Sequence, residues 1–161
     1  MSVRAFIGLG GNLGETRQIL DAAIARLGEH SGIRITGRSR FYRTPPWGPV
    51  PQPDFVNAAI RIETDLAPHG LLDVLLDTER AFGRVRDGER WGPRVLDLDL
   101  LSYGDVTLHD DRLHVPHPRM AERAFVLLPL ADIDEGYVVA GQGSVSALLE
   151  TLGTQGCEPL P

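Results

Sequence analysis

The segment Val95-Leu96-Asp97-Leu98-Asp99-Leu100-Leu101 alternates apolar and acidic residues, so in an extended chain Leu96, Leu98 and Leu100 face one way and Asp97 and Asp99 the other. Carboxylates two positions apart on a strand stand roughly 6–7 Å from each other. Asp is depleted in strands and like charges on one face repel, so the pair costs stability unless a cation is bound. Hard oxygen donors in this number suit Mg²⁺, which keeps several waters and takes one or two carboxylates together with substrate phosphates. Just upstream stand Arg84, Arg86, Arg90 and Arg94, with Trp91-Gly92-Pro93 bending the chain between the last two. Guanidiniums bind phosphate oxygens bidentately and stay charged at any working pH, so arginines beside an aspartate pair point to a metal–phosphate complex. Taken alone, Arg86 and Arg90 fit a solvated loop equally well.

Other stretches hold residues able to bind. In Phe55-Val56-Asn57-Ala58-Ala59-Ile60-Arg61-Ile62 the core face is Val56, Ala58, Ile60 and Ile62, which leaves Phe55 and Asn57 together on the other face. A ring and an amide there can stack on a flat heterocycle and bond its edge, or simply open a strand. Between Thr44 and Pro53 the prolines at 45, 46, 49, 51 and 53 preclude regular structure. That stiff loop either presents Trp47 and backbone groups to a ligand with little entropy left to lose, or merely connects. Glu79 follows Leu75 and Leu76 at helical spacing, on or beside a buried face, where a carboxylate needs a partner such as an arginine or must reach solvent. His117, at the start of a helical pattern, can donate to a phosphate or serve as a cap.

These residues need elements to hold them. Val3 to Ile7 reads as a strand, Gly8 to Gly14 as a glycine-dense turn, and Ile19, Leu20, Ala23, Ile24 and Leu27 as the apolar stripe of a helix that Gly28 stops. The turn is not a dinucleotide fingerprint, because Leu13 stands where the third glycine should be, and it lacks a P-loop Gly-Lys-Ser/Thr. It requires positive φ, contacts a ligand, or both. Ile33 to Tyr42 reads as one strand, and Pro68 opens a helix with the stripe Leu71, Leu72, Leu75 and Leu76, ended by Gly83. Tyr103 to Val106 reads as a hairpin turn, followed by extended pieces at Val106 to Leu108 and Leu113 to Val115. Pro116 to Met120 opens a helix that Pro129 closes, and Ser144 caps Val145 to Leu152 ahead of a Gly/Pro-rich tail without a chemical motif.

The chain has 161 residues, 42% of them hydrophobic and 24% charged, as expected for one soluble domain spanning 1–161. A net charge of -6 argues against general affinity for nucleic acid and makes the arginine cluster a focused phosphate site. A lone Cys157, no signal-peptide h-region, and no apolar run near the ~20 residues a membrane span needs imply a cytoplasmic protein with no membrane contact.

Taken together, Gly10-Gly11-Asn12-Leu13-Gly14, Phe41-Tyr42-Arg43-Thr44-Pro45-Pro46, Asp54-Phe55-Val56-Asn57-Ala58-Ala59, Gly83-Arg84 with Arg86, Arg90-Trp91-Gly92-Pro93-Arg94 with Asp97-Leu98-Asp99, and Pro116-His117-Pro118 with Arg123 and Phe125 resemble the 6-hydroxymethyl-7,8-dihydropterin pyrophosphokinase family over most of the chain. The resemblance implies an α+β, ferredoxin-like fold with a largely antiparallel sheet and helices packed on it. It implies transfer of pyrophosphate from ATP to 6-hydroxymethyl-7,8-dihydropterin, with two Mg²⁺ ions on Asp97 and Asp99 and with Arg84 and Arg94 as catalytic arginines. Pterin contacts would be Thr44, Pro45, Pro46, Trp47, Phe55, Asn57, Trp91, Arg123 and Phe125; Trp47 stands at a position the family varies. ATP contacts would be Glu79, Arg84, Arg86, Arg90, Arg94, Leu100, Arg112 and His117, in a monomer without fused partners. Two other readings remain open at this point: a kinase that attacks the γ-phosphorus and releases ADP, and a non-catalytic ferredoxin-like RNA module. The acidic balance and the lack of an RRM-type aromatic stretch weigh against the second.

Overall fold

In β1, Val3–Gly11, period-two alternation sends Ala5, Ile7 and Leu9 to one face and Phe6, Gly8 and Gly10 to the other. The computed structural model describes residues 2–46, 51–83 and 94–161. Trp47, Arg84, Arg86, Arg90 and Trp91 lie outside the described residues. The elements that follow β1 are α1 (Thr16–Glu29), β2 (Ile33–Arg38), β3 (Tyr42–Thr44), β4 (Phe55–Thr64), α2 (Pro68–Ala81) and β5 (Asp97–Tyr103). After them come β6 (Leu108–His109), β7 (His114–Val115), a 3₁₀ turn at Met120–Glu122, α3 (Ala124–Ile133), β8 (Val138–Val139), β9 (Gly143–Ser144), α4 (Val145–Leu152) and β10 (Glu158–Pro159).

The main sheet runs β10-β3-β4-β1-β5, with β2 pairing the other half of β4, and each of its pairings is antiparallel. Two β-α-β units, β1-α1-β2 and β4-α2-β5, interleave so that β1 and β4 are neighbours at the centre, which is the ferredoxin-like arrangement. One face packs on α1 and α2 through Leu20, Leu27, Leu71 and Leu75, and the other on the 3₁₀ turn, α3 and α4 through Met120, Leu127, Leu130 and Val145.

Several elements depart from the sequence expectation, each for a local reason. The glycine run is not all turn, because β1 continues through Gly11. A Cβ on Gly10 would lie 2.6 Å from Asn57 Oδ1 and one on Gly11 2.4 Å from the Val95 carbonyl oxygen, so these glycines admit close neighbours inside the strand. Helix α1 passes through Gly28 and ends where His30 turns extended and its Nδ1 accepts the Gly32 N–H at 2.9 Å. The stretch from Ile33 to Tyr42 is two strands. At Ser39 the chain crosses from one half of β4 to the other, the Ser39 hydroxyl accepting the Ala59 N–H at 2.9 Å. Strand β5 starts at Asp97, two residues later than the alternation begins. The turn after Tyr103 closes through Val106 N–H to the Tyr103 carbonyl at 3.0 Å, yet the chain does not return along β5, since β6 pairs with β7. Pro129 lies buried inside α3, which runs on to Ile133, and the helix starts only at Ala124, after the 3₁₀ turn. Ser144 caps α4 as expected, accepting the Ala147 N–H at 3.2 Å.

Candidate active site

The face of the sheet that meets α3 changes character along its strands. At one end Phe6, Ala59 and Leu101 pack beneath α3. Two residues on, the same three strands carry Gly8, Asn57 and Asp99, and two further Gly10, Phe55 and Asp97. Register sets them in rows: Gly8 stands between Ala59 and Asp99, and Gly10 between Asn57 and Asp97. The glycines leave a floor without side chains, flanked by an amide strand and an acidic strand. Above it is a cleft of about 220 Å³. Thr44, Phe55 and Asn57 line one side, Asp97 and Asp99 the other, and Phe125, Val126, Arg123, Arg119 and Glu122 the α3 side.

Hydrogen bonds hold this wall in place. Asn57, buried, donates through Nδ2 to the Thr44 hydroxyl at 2.7 Å. Arg94 pairs with Asp97, Nε to Oδ2 at 3.3 Å, both side chains partly exposed. The Arg94 backbone is pinned by Asn12, whose Oδ1 accepts the Arg94 N–H at 2.8 Å and whose N–H donates to the Arg94 carbonyl at 2.8 Å. The Asn12 amide also donates to Gln52 Oε1 at 2.8 Å and to the Pro53 carbonyl at 2.9 Å. One buried side chain therefore joins the end of β1, the segment before β4 and the segment before β5. The Arg123 guanidinium sits 5.7 Å from the Phe125 ring centroid.

The outer edge of β5 is a second region. Glu79, buried on α2, accepts the Leu98 N–H through Oε2 at 2.7 Å, taking a ladder donor that faces away from β1. His117 N–H donates to the Leu101 carbonyl at 2.8 Å, and His117 Nδ1 accepts the Arg119 N–H at 3.2 Å. Burial, with the Arg123 and Arg119 cations and His114 nearby, pushes the His117 pKa down to about 4, so at neutral pH the ring is uncharged. With Nδ1 accepting, that neutral ring carries its proton on Nε2. Arg112 reaches back to α2, 2.5 Å from Asp73.

Of the residues expected to act, Asp97, Asp99, Thr44, Phe55, Asn57, Arg123 and Phe125 share the cleft. Pro45 and Pro46 follow Thr44 outside its lining, and Arg94 touches the cleft through Asp97. Glu79 and His117 flank the β5 edge instead, Arg112 is tied to Asp73, and the Leu100 side chain is buried in the core against α1 and α2. Sequence reading missed Asn12, Arg119 and Glu122. For Asn12 the signal was available, a polar residue following two glycines that turns out buried.

The family model for 7,8-dihydro-6-hydroxymethylpterin-pyrophosphokinase (HPPK) matches residues 6–135. A 2-amino-4-hydroxy-6-hydroxymethyldihydropteridine pyrophosphokinase of Methylorubrum extorquens is 48% identical over 155 residues, covering 96% of this chain and 97% of its own. One of Pseudomonas aeruginosa is 42% identical over 161 residues, covering 100% and 99%. Among solved structures, wild-type Plasmodium falciparum HPPK-DHPS with pteroate superposes with a TM-score of 0.74 at 15% identity, over 94% of this chain and 42% of that one. This last likeness is one of fold.

Proposed function

The chain belongs to the 7,8-dihydro-6-hydroxymethylpterin-pyrophosphokinase family, and from that premise we propose how its cleft does the work: pyrophosphate moves from ATP to 6-hydroxymethyl-7,8-dihydropterin, a step of folate biosynthesis. The observation that carries this reading is the meeting, over one glycine floor, of two aromatic rings, an oriented amide and two carboxylates.

The pterin lies flat above Gly8 and Gly10, Phe55 and Phe125 covering its faces. Asn57, oriented by Thr44, reads its edge together with the backbone of Thr44 and Pro46. The hydroxymethyl group then points toward β5. Asp97 and Asp99 fit Mg²⁺: both are hard oxygen donors that line the cleft. Two Mg²⁺ ions held there would supply charge neutralisation for the phosphates. Arg94, already drawn to Asp97, serves the transferred group, joined by Arg84. ATP occupies the β5 side, with Glu79, Arg112, His117 and Leu100 along it and Arg86 and Arg90 joining them, while Trp91 contacts the pterin.

The alcohol oxygen attacks the β-phosphorus in line and gives up its proton to solvent, the bond from that phosphorus to the α,β-bridging oxygen breaks, and AMP leaves. The protein's share is positioning and electrostatics, with no covalent intermediate. The chain acts as a single cytoplasmic domain and a monomer. Incubation with ATP, Mg²⁺ and the pterin alcohol tests the proposal: AMP and the pterin diphosphate should appear together, whereas ADP would show γ-phosphoryl transfer.

A further inference from the structure

Strand β3 is three residues long, yet it supplies Thr44 to the cleft wall and the hydroxyl that orients Asn57. So short a strand has few bonds of its own. Its inner edge pairs with β4, Thr44 opposite Phe55 and Tyr42 opposite Asn57. Its outer edge is taken by β10, Glu158 opposite Arg43 and Pro159 opposite Tyr42. The Leu160 N–H donates to the Phe41 carbonyl at 2.8 Å, and the Leu160 side chain packs against the core. Antiparallel alternation then leaves Pro159 opposite Tyr42 in a pair without ladder bonds, where its missing N–H costs nothing. Arg17 of α1 donates to the Pro161 carbonyl, anchoring the far end of the segment. The turn leading into β10 sits against the loop that follows β3: a Cβ on Gly156 would lie 3.1 Å from the Pro45 ring.

We infer that the β10 segment, residues 156–161, is a strap that positions the Thr44 wall, and through it Asn57, for the pterin. Residues 156–161 lie beyond the span matched by the family model. The inference rests on the proposed pterin reading of the cleft. Held on both edges, β3 keeps the Thr44 hydroxyl under the Asn57 amide. Released on one edge, it retains only the β4 ladder, and the amide loses a fixed partner. Strand β10 and β5 lie at opposite ends of the sheet, with β3, β4 and β1 between them, so ATP should not sense the release.

The test uses full-length chains with Leu160→Asp, which drives a carboxylate against the core and detaches the strap, with the milder Leu160→Ala, and with Leu160→Met as the conservative rescue. Each is titrated calorimetrically with the pterin alcohol in the presence of Mg²⁺ and a non-transferable ATP analogue, and separately with that analogue alone, at a temperature where it remains folded. Pterin affinity should fall about tenfold in Leu160→Asp and about threefold in Leu160→Ala, stay within about twofold in Leu160→Met, and leave nucleotide affinity unmoved. Should Leu160→Asp not fold, the Ala and Met pair gives the same ordering. Unchanged pterin affinity with lowered thermal stability, or equal loss for both ligands, would make the strap an edge cover only and overturn the inference. An intact chain that binds nucleotide but no pterin overturns the proposed function, and the inference with it, before any variant is compared.

Discussion

The two faces of the central sheet are made by the same three strands and could hardly differ more. Toward α1 and α2, Ala5, Ile7, Leu9, Ala58, Ile60, Ile62, Leu98 and Leu100 are each at most 5% exposed, and every one is apolar. Toward α3 the apolar run stops at Phe6, Ala59 and Leu101, giving way to glycine, amide, phenylalanine and aspartate. A fold that secures itself on one face can tolerate, on the other, a floor lacking side chains and two like charges on neighbouring positions. Both features oppose stability, through lost packing and through repulsion.

The largest effect should come from breaking the apolar face. Ile60, fully buried at the centre of β4, is the sharpest probe. Ile60→Ala should cost about 2–5 kcal/mol of unfolding free energy, measured by urea titration, while leaving turnover per folded molecule near the parent value. A large loss of turnover in the folded fraction would mean that the faces are not separable.

A medium effect is expected in acid, at the boundary between the cleft and the β5 edge. The folded pKa of His117, about 4, lies below its ordinary value of 6.5. Between those values the unfolded chain takes up a proton that the folded chain refuses, so this contribution is complete above about 6.5, shrinks as pH falls, and is gone below about 4. The loss should be on the order of 2 kcal/mol, the ring being partly exposed. His117→Asn keeps an acceptor for the Arg119 N–H and should show a flatter stability profile across that window. Identical acid profiles for parent and variant would remove His117 as the cause.

The smallest effect sharpens the cleft side. Phe55→Leu and Phe125→Leu should each weaken pterin binding by a few-fold to about tenfold, equivalent to about 0.5–1.5 kcal/mol, with nucleotide binding almost unmoved. Calorimetry with each ligand separates this from a packing role, in which both affinities would fall with the folded fraction.

How much of this was legible in the sequence follows the same division. Alternation marks the strands because burial on one face demands it, so Leu98 against Asp97 and Asp99, and Ile60 against Asn57, could be read directly. Close approach could not be read. Gly11 looks like a turn residue until the Val95 carbonyl is brought against it from far along the chain. Glu79 looked in need of a partner such as an arginine or of a route to solvent, whereas one partner it found is a backbone N–H, that of Leu98, which no side-chain pattern reveals. Pro129 reads as a helix stop because propensity disfavours it, but burial beside Leu127 and Leu130 overrides the loss of one bond. Strand β10, two residues in a Gly/Pro-rich tail, has no periodicity to detect and exists only because β3 offers it an edge.

The most direct measurement of the division of labour is made on Asp99, exposed on the cleft face and one position away from buried Leu98 and Leu100 on the other. Asp99→Asn removes one of two neighbouring charges and no packing. Without Mg²⁺ its thermal midpoint should stay within a few degrees of the parent's, while Mg²⁺-dependent formation of AMP falls by about 100-fold or more. A midpoint several degrees lower, with AMP formation retained, would contradict the account and make Asp99 a structural residue.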